Sequence, residues 1–201
     1  MQRFRPNITK YFILIITILV FIFVVNIFTE KTLNISQNQV SVIGGSFVLI
    51  DSEKKIFNSK DLNKKKIVYF GYTFCPDVCP LDLAKLSEVY NKFTKLKESI
   101  QPIFISLDPV RDRPKVLESY LENFNPNIIG LTGNEEDINK IIKKFKIYRN
   151  FVESDDDDDY YTIDHTSLFY LLDSNDKYLT HFGRKNFIEE FTEFAKDLNV
   201  N

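Results

Sequence analysis

Cys75 and Cys79 are the only two cysteines of the chain, and they stand at the end of Tyr69-Phe70-Gly71-Tyr72-Thr73-Phe74-Cys75-Pro76-Asp77-Val78-Cys79-Pro80. Here an apolar stretch of strand length gives way to a pattern of helical period. Unpaired N–H groups and the helix dipole at such a junction favour thiolate over thiol. Thiolates exchange with disulfides or hold soft metal ions, and the spacing and surroundings of the pair bear on both.

For exchange, the thioredoxin-type strand–Cys pair–helix arrangement places two residues between the thiols; this chain has three. The extra residue turns the second sulfur by about 100° around a helix of 3.6 residues per turn. Thioredoxin-like redox enzymes also set a cis-proline loop against the pair, and all seven prolines here lie at or before Pro126. A purely structural disulfide would close so small a loop that it would remove little unfolded-state entropy.

A metal site needs a third ligand, and the chain has two histidines, His165 and His181. His165 lies in Tyr161-Thr162-Ile163-Asp164-His165-Thr166, just before the penultimate strand. In a thioredoxin-like sheet that strand's entry faces the cysteine loop. Two thiolates and an imidazole suit Cu(I) and also hold Cu(II). Zinc would want a fourth ligand, which His181, at the far end of the last strand, is poorly placed to supply. Asp77, between the thiols, could tune their charge or accept a backbone N–H. Asp108 ends a strand, where α/β sheets carry function. A turn or cap role stands beside each.

The elements that would position these residues alternate. Phe47–Ile50 and Lys55–Phe57 suggest a small hairpin, and Ile67–Tyr72 reads as a strand. The next helix places Leu83, Leu86, Val89/Tyr90 and Phe93 on one face. Ile103–Leu107 is a strand, followed by a helix with Pro114 in its first turn. Ile128–Leu131 is another strand, after which Asn134 caps a helix bearing Ile138, Ile141, Ile142 and Phe145, with Asp137 at the capping-box position. Leu168–Leu172 and Tyr178–Phe182 pair across Asp173-Ser174-Asn175-Asp176, and a helix from Asn186 closes the chain. Near-continuous apolar strands fit a sheet covered on both faces, hence a three-layer α/β domain.

The N-terminal residues differ in kind. Tyr11–Phe28 is interrupted only by Thr17 and Asn26 and would span roughly 27 Å as a helix, about the hydrocarbon thickness of a bilayer. No small-residue cleavage site follows. The expected organisation is a cytoplasmic terminus at 1–10, an uncleaved single-pass anchor at 11–28, a tether at 29–45 and a folded domain at 46–201. Arg3, Arg5 and Lys10 keep the terminus in the cytoplasm and send the domain across the membrane, into the periplasm if the membrane is a bacterial inner one. The short terminus lacks the Arg- and Ser-rich presequence of a mitochondrial protein. Without those three cations, 23 Lys and Arg face 28 Asp and Glu, about −5 for the exported part. No basic surface for nucleic acid results. The run Asp155–Asp159 reads as a solvated, self-repelling loop; a Ca²⁺ loop would need alternating ligands and a Gly turn.

The run ending Cys75-Pro76-Asp77-Val78-Cys79-Pro80 resembles the signature of the Sco/SenC family of membrane-anchored copper proteins. Ile105-Ser106-Leu107-Asp108-Pro109-Val110-Arg111-Asp112 is similar to that family's S-x-D-P-x-R-D stretch. Gly130-Leu131-Thr132-Gly133, the acidic run leading to Asp164-His165-Thr166, and His181-Phe182-Gly183 follow in family order, so the likeness spans roughly residues 44–198. Arg113-Pro114 departs slightly and should only reset a helix start.

The resemblance implies a thioredoxin-like fold with one copper ion held by Cys75, Cys79 and His165. It further implies a metallochaperone that takes copper from an unidentified donor and supports assembly of the Cu(A) centre in cytochrome c oxidase subunit II. The alternative is a thiol–disulfide reductase, with Cys75 and Cys79 as redox pair, that keeps the acceptor's cysteines reduced. A copper or redox sensor is a third class, which no residue favours.

Overall fold

Every residue of Lys65–Gly71 after Lys65 is buried. A strand buried on both faces needs cover on both sides, and that requirement shapes the domain. A computed structural model of the chain describes residues 13–26, 43–125, 127–153 and 161–200. The strands are β1 (Val48–Asp51), β2 (Ile56–Asn58), β3 (Lys65–Gly71), β4 (Ile100–Ser106), β5 (Ile129–Thr132), β6 (Arg149–Glu153), β7 (Tyr161–His165), β8 (Leu168–Leu172) and β9 (Tyr178–Gly183). The helices are α1 (13–26), α2 (Val78–Lys92), α3 (Thr94–Ser99), α4 (Pro114–Leu121), α5 (Glu135–Phe145) and α6 (Phe187–Val200).

Seven strands form one sheet in the order β2-β1-β5-β4-β3-β8-β9, and β6 pairs with β7 in a separate two-stranded sheet. β3, β4 and β5 run parallel, the others antiparallel to their neighbours. Alternation along β3 divides the core. Ile67 and Tyr69 join Leu83, Leu86, Leu117, Phe187 and Phe191 on one side. Val68 and Phe70 join Phe47, Ile138, Ile141 and Phe145 on the other. Helices α2, α4 and α6 therefore cover one face and α5 the other, which gives the expected three layers.

Local signals act as the sequence suggests at several ends. The Asn134 side chain accepts the Asp137 N–H, and Pro114 occupies the first turn of α4. In the β8–β9 turn, Asp173 Oδ1 accepts the N–H groups of Asn175 and Lys177.

Three features differ from expectation. Gly44 and Gly45, read as tether, are fastened to the domain through N–H bonds to the carbonyls of Lys144 and Asp176. Lys66 is fully buried, its Nζ 2.7 Å from the equally buried Asp176 carboxylate. The β6–β7 hairpin was not legible, because β6 is exposed along most of its length and shows no apolar alternation.

Within the expected span 11–28, residues 13–26 are helical with every side chain exposed. Among the described residues no helix is long and apolar enough to cross a membrane. Residues 11, 12, 27 and 28 lie outside the described residues, as do 1–10, most of the tether and Asp155–Asp159.

Candidate metal centre

Register brings three chain segments to one edge. β3 and β4 end level, Gly71 opposite Ser106, and the Leu107 N–H donates to Gly71 O at 2.7 Å. β8 runs back along β3 with Phe169 opposite Tyr69, so the residues entering β8 arrive beside those leaving β3. The cysteine loop, the Asp108–Asp112 loop and His165 thus share the carboxyl edge of the parallel strands.

Helix α2 begins at Val78, and Cys79 lies on its buried stripe with Asp82, Leu83 and Leu86. Cys79 is fully buried, whereas Cys75, just ahead of the helix, is 8% exposed. Both are free thiols. The Cys79 N–H points at Cys75 Sγ, 3.5 Å away, so an unpaired helix-start donor serves the outer sulfur. Hydrogen bonding from Cys79 pulls Cys75 well below the usual thiol range, against the opposing effect of burial, with the Asp77 N–H adding to it. Cys79 moves the other way, raised first by its bond to Cys75 and then by burial. The shared bond thus favours the thiolate at the outer sulfur and the thiol at the inner one.

Close approach at this corner needs a residue without a side chain. A Cβ on Gly71 would stand 2.8 Å from Cys79 Sγ.

His165 Nε2 lies 3.4 Å from Cys79 Sγ, and Nδ1 lies 3.0 Å from the Thr166 carbonyl oxygen. A carbonyl only accepts, so Nδ1 carries the proton and the Nε2 lone pair faces the sulfur. Tyr69 and Tyr72 stand edge-on to the imidazole at 6.4 and 6.0 Å. Two sulfurs and one imidazole with a lone pair are donors of the soft-metal kind. They are gathered without being closed up. Among the described residues no three His, Cys, Asp or Glu side chains stand in a set that could hold an ion.

The loops are held by residues to which the sequence reading gave no role. Buried Asp112 accepts the Thr73 N–H at 3.0 Å, the Thr73 hydroxyl, and the Ser106 hydroxyl at 2.7 Å. Burial raises its carboxyl pKa, and those hydrogen bonds oppose the rise. Tyr72 OH accepts the Ile163 N–H at 3.1 Å. Arg111 donates to Asp108 and to the Tyr161 carbonyl, and Tyr161 OH donates to Asp108. Asp108 is therefore a buried anchor. Asp77 is exposed at the start of α2 and its side chain makes no capping bond; only its N–H serves Cys75. The arginine three residues after Asp108 was a visible signal for this network.

His181 belongs elsewhere. It bonds to Tyr178 OH and packs on Tyr170, whose side chain lies in the core on the other face of the sheet.

A strand–cysteine-loop–helix unit with an imidazole delivered to the same sheet edge defines the class: thioredoxin-like domains with a cysteine–histidine centre. The SCO1/SenC family model matches residues 35–198. An SCO2-like protein of Rickettsia felis is 47% identical over 164 residues, 81% of this chain and 80% of that relative. The chain therefore belongs to the SCO1/SenC family. Among solved structures, copper-bound ScoI of Bradyrhizobium japonicum superimposes with a TM-score of 0.70 at 39% identity, covering 77% of this chain and 98% of that one. Copper-bound ScoI of Arabidopsis thaliana gives 0.71 at 33% identity, covering 79% and 99%.

Proposed function

We propose that this chain is a copper metallochaperone. It binds one copper ion through Cys75, Cys79 and His165, receives it from a separate donor protein, and supports assembly of the Cu(A) centre in cytochrome c oxidase subunit II. The observation that carries this reading is the His165 Nε2 lone pair facing Cys79 Sγ at 3.4 Å, with Nδ1 pinned to Thr166 O. The copper-bound relatives support the choice of metal. Binding as Cu(I) requires Cys79 to give up its proton, so loading releases a proton where the outer thiolate alone would not. Hand-over proceeds by ligand exchange, and Cys75, the partly exposed sulfur, is the one an acceptor thiolate can displace first.

The N-terminal apolar segment would hold the protein in the membrane as a single-pass anchor, with the domain on the periplasmic side of a bacterial inner membrane.

A thiol reductase is the second reading, favoured by the division of labour between the sulfurs. The Cys75 thiolate would attack an acceptor disulfide and form a mixed disulfide. Cys79 would then pass its proton to His165 Nε2 and displace the acceptor. The acceptor leaves with both sulfurs reduced, and the chain keeps a Cys75–Cys79 disulfide that a separate dithiol reductant must reset.

The test is transfer. Copper-loaded chain mixed with a reduced, metal-free Cu(A) domain should generate Cu(A) absorption. The reductase reading instead expects the chain, without copper, to reduce an oxidised Cu(A) domain, and His165→Ala to retain that activity in part.

A further inference from the structure

The hairpin that ends in His165 pairs with no strand of the main sheet. An isolated two-stranded ribbon is marginal in water, so side-chain contacts must set where it lies. Several polar contacts fasten it to the domain edge, three of them through backbone groups. Tyr72 OH takes the Ile163 N–H, Arg149 Nη1 donates to Leu107 O at 3.0 Å, and Arg111 Nη1 donates to Tyr161 O at 2.9 Å. Arg111 differs from the other two in what else it touches. Its guanidinium carbon lies 3.5 Å from the centre of the Tyr161 ring and 4.9 Å from that of Phe74, the residue before Cys75. Its Nε is tied to Asp108, which also receives the Tyr161 hydroxyl at 2.9 Å. Tyr161 in turn packs on Phe151 at 5.4 Å, and Arg149 lies over Phe151 at 5.1 Å. A stack of rings and guanidinium groups thus runs Phe74–Arg111–Tyr161–Phe151–Arg149, from the cysteine loop into both strands of the hairpin.

We propose that Arg111 is a positioning residue for the metal centre: it clamps the His165 hairpin and the cysteine loop to each other. This rests on His165 being a ligand. Planarity is what the role demands, because one flat group must stack on a ring while its edge donates to a carboxylate and a carbonyl. The cation touches no ligand atom; its effect is on how often the imidazole stands where the sulfurs can share an ion with it. A lysine would keep the charge beside Asp108 and lose the stack and the fork.

The test uses the full-length chain, first without metal. Amide hydrogen exchange is followed at Tyr161–His165 and, as a control, at Lys65–Gly71. Arg111→Met should speed exchange in the hairpin about ten-fold or more while leaving the central strand unchanged, and Arg111→Lys should retain less than half of the lost protection. Cu(I) affinity of both variants should fall toward that of His165→Ala, with the thiolate–copper absorption of the loaded cysteines retained. Unchanged exchange in the hairpin, or equal acceleration of hairpin and central strand, would overturn the clamp. If Arg111→Met does not fold, Arg111→Lys decides by the same comparison. Equal copper binding by wild type and His165→Ala would instead overturn the ligand role of His165, a result read independently of the exchange data.

Discussion

Cys79 and His165 are 86 residues apart in the chain and meet at 3.4 Å between Sγ and Nε2. The contact depends on three separate pieces of architecture. Helical period puts Cys79 on the buried stripe of α2, register brings the entry of β8 beside the end of β3, and Thr166 O fixes the tautomer of the imidazole.

The corner has no room to spare at Gly71. A methyl group there would meet Cys79 Sγ at 2.8 Å and Phe104 Cε2 at 3.0 Å, the first a candidate ligand and the second in the core. Gly71→Ala should destabilise the fold by about 1–3 kcal/mol, as overpacking generally does, and should weaken copper binding as well. Denaturant titration and a copper competition assay on the same sample check both; a variant with wild-type behaviour in each would mean the sulfur has space to move.

The two thiols should react unequally. With Cys75 lowered and Cys79 raised and fully buried, iodoacetamide at neutral pH should modify Cys75 first and spare Cys79 until the chain is unfolded. The rate at Cys75 should hold as pH falls from 9 to 6, where an ordinary thiol loses about ten-fold per unit. Linkage works in opposite directions for the two thiols: the lowered Cys75 adds stability as pH rises toward its unfolded value of 9.0, and the raised Cys79 removes it as pH climbs above 9.0. Peptide mapping by mass spectrometry reads the site; labelling of Cys79 ahead of Cys75 would reverse the assignment.

Lys66 and Asp176 form an ion pair with both side chains fully buried, and Asp176 also receives the Ser59 hydroxyl at 2.7 Å. Removing one partner leaves the other charge without compensation. Asp176→Asn should therefore cost about 3–5 kcal/mol, and adding Lys66→Met should recover much of it. Lys66 lies near the start of β3, far along the strand from Gly71, so copper affinity should not change in the folded variants. Urea unfolding of the single and double variants measures this; a single variant as stable as wild type would show that water reaches the pair.

Residue type and scarcity made the ligand candidates legible: two cysteines, and a histidine just before an apolar strand. The same holds for the apolar runs of β3, β4 and β8 and for the Asn134 cap, because each carries its signal locally. What was not legible depends on partners distant in sequence. Lys66 reads as the polar flank of a strand until Asp176 is brought against it 110 residues later. The hairpin carrying His165 has one strand, β6, exposed along most of its length, and is placed by Arg111 and Tyr72 from other loops. Asp112 carries no local signal of its role, which is to hold Thr73, two residues before Cys75.

On the proposed function, Cys75, Cys79 and His165 act as one ligand set. Cu(I) competition against a chelator, using the reduced chain and its Cys75→Ser, Cys79→Ser and His165→Ala variants, tests it most directly. One ion per chain in the wild type, with affinity lowered at least about ten-fold in every variant, or roughly 1.4 kcal/mol each, is the expected result. Affinity that survives loss of His165 unchanged, or stoichiometry that survives loss of either cysteine, would contradict it.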